Sequence, residues 1–245
     1  MKHLYIILVT LLFVGCNSEK RVLVDELTLK GDVHYFESKL YTGIVFDVYE
    51  EHYWSGNLKF EYGVLNGIQH GIFKEYFPNG DISKEGNYID GQKNGLWTYR
   101  SEYEYGYIEK EEVNYKDDQL DGTWKLWLEN KLTSEGSYTN GKEDGLFRTW
   151  YENGQLKNEG SYTNGKRTGV WKFYHENGQL ENEGSYTNGK KDGLFRTWYD
   201  NGQLKYELNY QNGKLDNISH NKLVQFQRSE RNDNIYRMFF GEETQ

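Results

Sequence analysis

The chain reads as an all-β protein, an elongated, single-layer, twisted antiparallel sheet of stacked β-hairpins. Three observations predict this. The phrase "EGSYTNGK" occurs at Glu135–Lys142, Glu159–Lys166 and Glu183–Lys190, in steps of 24 residues. Glycines that open an aromatic run recur at Gly43, Gly71, Gly95, Gly122, Gly145, Gly169 and Gly193, in steps of 28, 24, 27, 23, 24 and 24. A period of this size is the mark of a repeat architecture. Finally, aromatics make up 17% of the 245 residues while all hydrophobics reach only 36%, and 27 Gly stand beside one Pro. Such a mixture cannot fill a deep aliphatic core, so stability must come from something thin, regular and aromatic.

Residues 1–15 read as a targeting segment outside the fold. Lys2 supplies a short charged start, and Leu4–Val14 is an apolar run broken only by Thr10. That run is too short to span a bilayer as a helix. It ends in Phe13-Val14-Gly15-Cys16, which resembles a bacterial lipobox with Phe13 where Leu is usual. The resemblance implies a lipoprotein signal peptide over 1–15, cleavage before Cys16 and diacylglyceryl on its thiol. Each buried methylene then adds roughly 0.8 kcal/mol, and two or more acyl chains make the anchor stable. Cys16 is the sole cysteine, so no disulfide forms within the chain. Residues 16–40 follow as a lipidated tether with an N-terminal capping strand in "RVLVDELTLK".

About seven repeats fill 41–216. The clearest is Gly169–Asp192, "GVWKFYHENGQLENEGSYTNGKKD". Asn177-Gly178 sits between two strand-like runs, and Asn-Gly favours a two-residue type I′ turn because both central residues need positive φ. Taken so, Lys172 faces Glu183, Trp171 faces Gly184 and Gly169 faces Tyr186. The same count pairs Lys74, Arg148 and Arg196 with Glu85, Glu159 and Glu207, and sets Phe73 and Phe147 opposite Gly86 and Gly160. An aromatic across from a strand glycine covers exposed backbone, so "EGSYTNGK" reads as one strand plus its exit turn, its Tyr covering the glycine that opens the unit.

Three units depart from the rule. Gly43–His70 is longer and has Ser55-Gly56 as its turn; residues 101–111 lack Asn-Gly; Glu129-Asn130-Lys131 has lost its Gly. After Asp216 the repeat stops, and 217–245 reads as a C-terminal cap with a frayed tail, since terminal units of arrays are atypical.

The composition excludes several functions. A formal charge of −9 leaves no basic footprint for nucleic acid. The Glu column (Glu61, Glu85, Glu112, Glu135, Glu159, Glu183, Glu207) advances two strand spacings per unit, roughly 9.5 Å. Neighbours at that distance cannot share one metal ion or flank one glycosidic bond. His52 and His70 match no ligand spacing, and His175 stands in a column that otherwise holds Tyr151 and Tyr199. No phosphate loop, nucleophile elbow or zinc motif is present. The chain is read as non-catalytic, with no catalytic, cofactor-binding or metal-binding residues; its one cofactor-like group is the covalent lipid on Cys16.

Units of the form "YENGQLKNEGSYTNGKRTGVW" resemble the bacterial variant of the MORN (membrane occupation and recognition nexus) repeat. The resemblance covers 41–216 and implies a twisted sheet of stacked hairpins that acts as a scaffold or as a lipid- and protein-contacting module. It also carries the label of antitoxin in a toxin–antitoxin pair, which implies a cytoplasmic partner, at odds with an anchor on Cys16.

Alternation along the first strand of each hairpin sends Trp127, Trp150, Tyr174 and Trp198 to the face opposite Trp124, Phe147, Trp171 and Phe195. One column packs over glycines and the other lines a groove; the first set is the candidate groove. The reading is a lipid-anchored protein of the bacterial cell envelope, on the periplasmic side or the surface, that binds a protein or envelope partner. The alternatives are an antitoxin or immunity-like protein, and a glycan or cell-wall binding module.

Overall fold

The computed structural model describes residues 20–50, 53, 55–102 and 108–216. The signal segment, Cys16 and the cap expected over 217–245 lie outside the described residues, as do 103–107 of the irregular third unit. Seven hairpins follow one another, and their strands span Gly43–Val48 with Leu58–Leu65, Ile68–Tyr76 with Ile82–Ile89, Gln92–Glu102 with Ile108–Lys116, and Gln119–Leu128 with Lys131–Thr139. The last three span Gly145–Trp150 with Leu156–Thr163, Lys166–Tyr174 with Leu180–Thr187, and Lys190–Trp198 with Leu204–Gln211. Each return strand also pairs with the first strand of the next hairpin, so the hairpins merge into one long, open, twisted sheet of 17 strands.

The sheet is antiparallel with one exception. Arg21–Leu23 runs parallel to Gly43–Val48 and covers that edge. The rest of the expected tether is folded: a 3-10 turn at Val24–Glu26 leads into a separate small sheet of Thr28–Lys30, Val33–Phe36 and Lys39–Leu40. Its backbone is tied to the exit turn of the first hairpin, His34 N–H donating to Gly67 O at 2.8 Å and Gly67 N–H to Tyr41 O at 2.6 Å. Val22, Tyr41, Val45 and Val64 form an aliphatic-rich core there. At the other end of the described sheet the edge strand is the two-residue Lys214–Leu215. A three-residue and a two-residue edge offer little template for pairing with other chains.

The predicted register is correct, but the turn that predicted it is not the one that forms. Lys172 pairs with Glu183, Trp171 with Gly184 and Gly169 with Tyr186, and the corresponding pairs hold in the second, fifth and seventh hairpins. Around Asn177, however, Gly178 N–H donates to His175 O and His175 N–H to Gln179 O, both at 2.8 Å. Gly178 has φ +83° while Asn177 is not among the positive-φ residues. This is a three-residue loop with glycine in the left-handed position. Its extra residue is cancelled by a bulge between Phe173 and Tyr174 that leaves Glu181 unpaired. A longer loop and a compensating bulge give the same count as a short loop and none.

Type I′ turns lie at the opposite end, in the exits. Asn140, Asn164 and Asn188 have φ of 49°, 51° and 51°, each followed by a glycine at positive φ. The fourth hairpin, which had lost its glycine, closes with a two-residue turn in which Glu129 and Asn130 both take positive φ.

The glycines do two separate jobs, one of which differs from expectation. The sequence pattern puts a Tyr over each opening glycine. Gly71, Gly95 and Gly169 instead have open space where a Cβ would stand, and φ of +90°, +73° and +65°. They are required for backbone conformation at the bulge that begins each unit. The glycines of "EG" lie under rings, as expected, but under those of the next hairpin. A Cβ on Gly86, Gly136, Gly160 or Gly184 would run into Trp97, Phe147, Trp171 or Phe195 respectively. Each ring therefore leans back over the preceding unit, and the glycine is the seat on which one hairpin rests against its neighbour.

Candidate binding face

The two faces of the sheet are built differently, and the difference starts with the seated rings. Between them stand the tyrosines of "GSY", edge-on. Tyr162 meets Phe147 and Trp171 with ring centres 5.0 Å apart in both cases and interplanar angles of 77° and 82°. Tyr88 links Phe73 to Trp97 in the same way, at 6.0 and 5.0 Å. Such edge-to-face pairs each contribute about 0.5–1.5 kcal/mol beyond burial. The tryptophan N–H groups are satisfied too, Trp171 Nε1 donating to Ser161 O at 3.1 Å and Trp97 Nε1 to Asn87 O at 3.3 Å.

Long cations roof this face. Arg167 lies 4.4 Å from the ring centre of Trp171, Lys191 5.0 Å from Phe195 and Lys93 4.7 Å from Trp97. Their aliphatic stems cover the rings while the charge sits over the π face. Burial holds the Lys191 ammonium below its ordinary range, and burial foremost pushes the Tyr115 phenol up to about 12, so it stays neutral. The outcome is a one-layer core: glycine below, rings in the middle, Lys and Arg above. Trp97 and Trp171 are 0% and 3% exposed within it. Sequence reasoning missed the roof, although its signal was present in the second residue after the exit glycines Gly91, Gly165 and Gly189.

The opposite face has no such roof pattern. It carries three stripes. Nearest the exit turns are aliphatic residues one position after four of the opening glycines: Ile72, Leu96, Leu146 and Val170, which are 64%, 51%, 42% and 52% exposed. In the middle runs the Glu column, interleaved with cations. Arg148 Nη1 is 3.3 Å from Glu135 and its Nε 3.5 Å from Glu159; Arg196 makes the same pair of contacts with Glu183 and Glu207 at 3.1 and 2.8 Å. Each arginine thus spans two successive hairpins, which aligns units more than it stabilises them at this exposure.

The third stripe holds the predicted groove residues. Trp127, Trp150, Tyr174 and Trp198 occupy one register position in four successive hairpins, opposite Leu132, Leu156, Leu180 and Leu204. All four are half-buried. Tyr174 donates its hydroxyl to Glu159 of the preceding hairpin at 3.2 Å, and Lys110 caps the Trp127 ring at 4.6 Å. In the third hairpin Arg100 takes the position, so the aromatic run is interrupted there and Tyr76 stands apart from it. Beside Trp150 lies an open trough of about 690 Å³ bounded by Lys131, Asn153, Lys157 and Glu176.

The turns beyond this stripe are locked to one another. Asn177 accepts the Gln179 N–H on Oδ1 at 2.9 Å and donates from Nδ2 to Asp200 O of the next turn at 2.8 Å. Asn153 does the same with Gln155 and Glu176, at 2.9 Å each. Tyr151 donates its hydroxyl to Tyr174 O at 2.7 Å, and His175 Nε2 is 3.3 Å from Trp198 O. His175 takes the place and the contact of a tyrosine. Among the described residues no group of three or more His, Cys, Asp or Glu could hold a metal ion.

This hairpin, with its two turn types and its paired glycines, recurs in a known family. A model of the MORN repeat variant matches residues 69–90, 143–164, 167–188 and 191–212. The chain is a MORN-type repeat protein. The three hairpins that the family model passes over are the ones that depart in length or turn sequence, at 43–65, 92–116 and 119–139. No curated protein matches the chain. MORN repeats are in general non-catalytic binding repeats, and this array is a repeat-based binding or scaffold module.

Proposed function

We propose that this MORN-type chain is a lipid-anchored protein of the bacterial envelope that holds a partner against the open face of its sheet, without catalysis. The observation that carries the reading is the inequality of the two faces. One consumes its aromatics in ring-on-glycine and ring-on-ring packing. The other leaves Trp150, Tyr174 and Trp198 half-buried and, across the Glu column, an aliphatic stripe that is 42% to 64% exposed. Aromatic side chains that become fully desolvated only on association contribute most to binding.

The anchor and the face are tested together in the intact chain. Cys16→Ala is expected to move the protein out of the membrane fraction and to abolish metabolic labelling with palmitate. The triple change Trp150→Ser, Tyr174→Ser and Trp198→Ser is expected to leave it in the membrane fraction but to remove its cross-linked partner. Unchanged membrane retention of the Cys16 variant, together with an unlabelled wild type, rules out the lipid anchor.

A further inference from the structure

Resting on the reading that the open face is the binding surface, we propose that its occupant is an uncharged, β-linked polysaccharide laid along the axis of the array, across Trp150, Tyr174 and Trp198. These rings repeat at one register position in consecutive hairpins, at a pitch of two strand spacings, roughly 9.5 Å. An extended β-linked glycan turns alternate sugars the same way, so it offers an apolar C–H face about once per disaccharide, a length commensurate with that pitch. A ladder of like rings fits a polymer of like units; a partner protein without repeats of its own presents no such translation.

The groups beside the rings suit sugar hydroxyls. Arg148 and Arg196 offer planar donors, and Glu159, Glu183 and Glu207 offer acceptors, each within the same stripe. Their pairing also selects against charged occupants. Both arginines already lie between two carboxylates, and the chain's formal charge of −9 repels polyanions. A lipid layer fits worse, because seating the aromatic stripe in acyl chains would draw the adjoining carboxylates out of water. The trough next to Trp150, with Lys131, Asn153 and Glu176 on its rim, gives room for a sugar that overhangs the ladder.

The test is titration of the full chain with cellohexaose and chitohexaose, followed by tryptophan fluorescence and calorimetry. Affinity is expected to rise at least about tenfold from disaccharide to hexasaccharide, because one linear ligand then engages successive rings. Maltohexaose, whose α-linked chain curves, is expected to bind about tenfold more weakly than the β-linked probes. Trp150→Ala and Trp198→Ala each reduce hexasaccharide affinity about tenfold, the equivalent of about 1.4 kcal/mol. Trp150→Tyr retains binding, and Lys39→Ala, on the small N-terminal sheet, leaves it unchanged. No binding of either β-linked hexasaccharide, binding without length dependence, or binding indifferent to Trp150→Ala and Trp198→Ala overturns the proposal. If the hexasaccharides fail while the same variants release a cross-linked protein, the glycan is wrong and the binding face stands. If neither ligand depends on these rings, both readings fall.

Discussion

At the scale of the residue, the array rests on positions where a side chain must be absent. The glycine at 86, 136, 160 and 184 is a seat for the next hairpin's ring, and the three hairpins that carry a larger residue there, Tyr62, Val113 and Leu208, are informative. In the seventh hairpin Leu208 stands where glycine is expected, and it is 2% exposed. Among the described residues the leucine packs in a small cluster with Tyr210, Phe195, Tyr206 and Leu215. Val113 replaces glycine in the third hairpin and is 3% exposed opposite Trp124. Trp124 differs accordingly, its Nε1 donating to Glu111 at 2.6 Å where Trp97 and Trp171 use backbone carbonyls. The rule gives a sharp expectation for Gly160→Ala. A single methyl there meets the indole of Trp171, which Arg167 holds from above. The ring cannot rise without losing the cation or drop without striking backbone, so overpacking of this kind costs about 1–3 kcal/mol. Urea melts of Gly160→Ala against Gly154→Ala separate this effect from strain alone. Gly154 has open space for a Cβ but φ of +84°, so its cost comes from the left-handed backbone. A Gly160→Ala variant as stable as wild type would mean the ring is not seated on the glycine.

At the scale of the hairpin, the fifth, sixth and seventh units are interchangeable because the same positions supply seat, ring and roof in each contact between them. Removing the 24 residues Gly169–Asp192 joins Thr168 to Gly193. Phe195 then falls over Gly160, the seat Trp171 has vacated, and Arg196 falls between Glu159 and Glu207. Arg167, no longer over an indole, roofs the phenylalanine instead. Stability of such arrays is close to a sum of unit and nearest-neighbour terms, so the shortened chain is expected to keep its β circular dichroism and a single melting transition. An unfolded product at room temperature would point to a closed domain. The exactness of the repeat is also why so much was legible in the sequence. Hairpin count and strand register follow from where Asn-Gly and the opening glycines fall. Turn type did not follow, because the three-residue loop at Glu176–Gly178 with Glu181 bulged out and a two-residue loop with no bulge predict identical pairs. Alternation assigned Trp171 to a face but could not say that it leans toward Gly160 instead of Gly184. A capping strand is legible in "RVLVDELTLK", but nothing in the three residues Arg21–Leu23 reveals that it pairs in parallel; its position depends on contacts with the distant Val45 and Val64.

At the scale of the whole molecule, a single-layer sheet has two surfaces and only one of them can be its core. Here the choice was not legible in the sequence, since both faces show an aromatic column of similar size and spacing. What separates them is the support given to each ring by glycine beneath, tyrosine beside and cation above, which only the fold assembles. The consequence is an asymmetry that can be measured. Changing Phe147, Trp171 and Phe195 to Ser removes three seated rings, and large-to-small changes at packed sites cost about 3–5 kcal/mol each, with half-buried Phe147 and Phe195 at the low end. Their sum matches or exceeds the whole stability of an ordinary domain, about 5–15 kcal/mol. That triple variant is expected to lose its cooperative melt. The equivalent change at Trp150, Tyr174 and Trp198 removes half-buried side chains that no glycine seat or cation roof depends on. Partial burial leaves roughly 1 kcal/mol each to lose, and Tyr174 also gives up one hydrogen bond to Glu159. This second variant is expected to remain folded, with a lower but still cooperative transition by circular dichroism. Equal collapse of both variants would mean that the two columns share the core, and the open face would then have to be sought among the aliphatic residues Ile72, Leu96, Leu146 and Val170 alone.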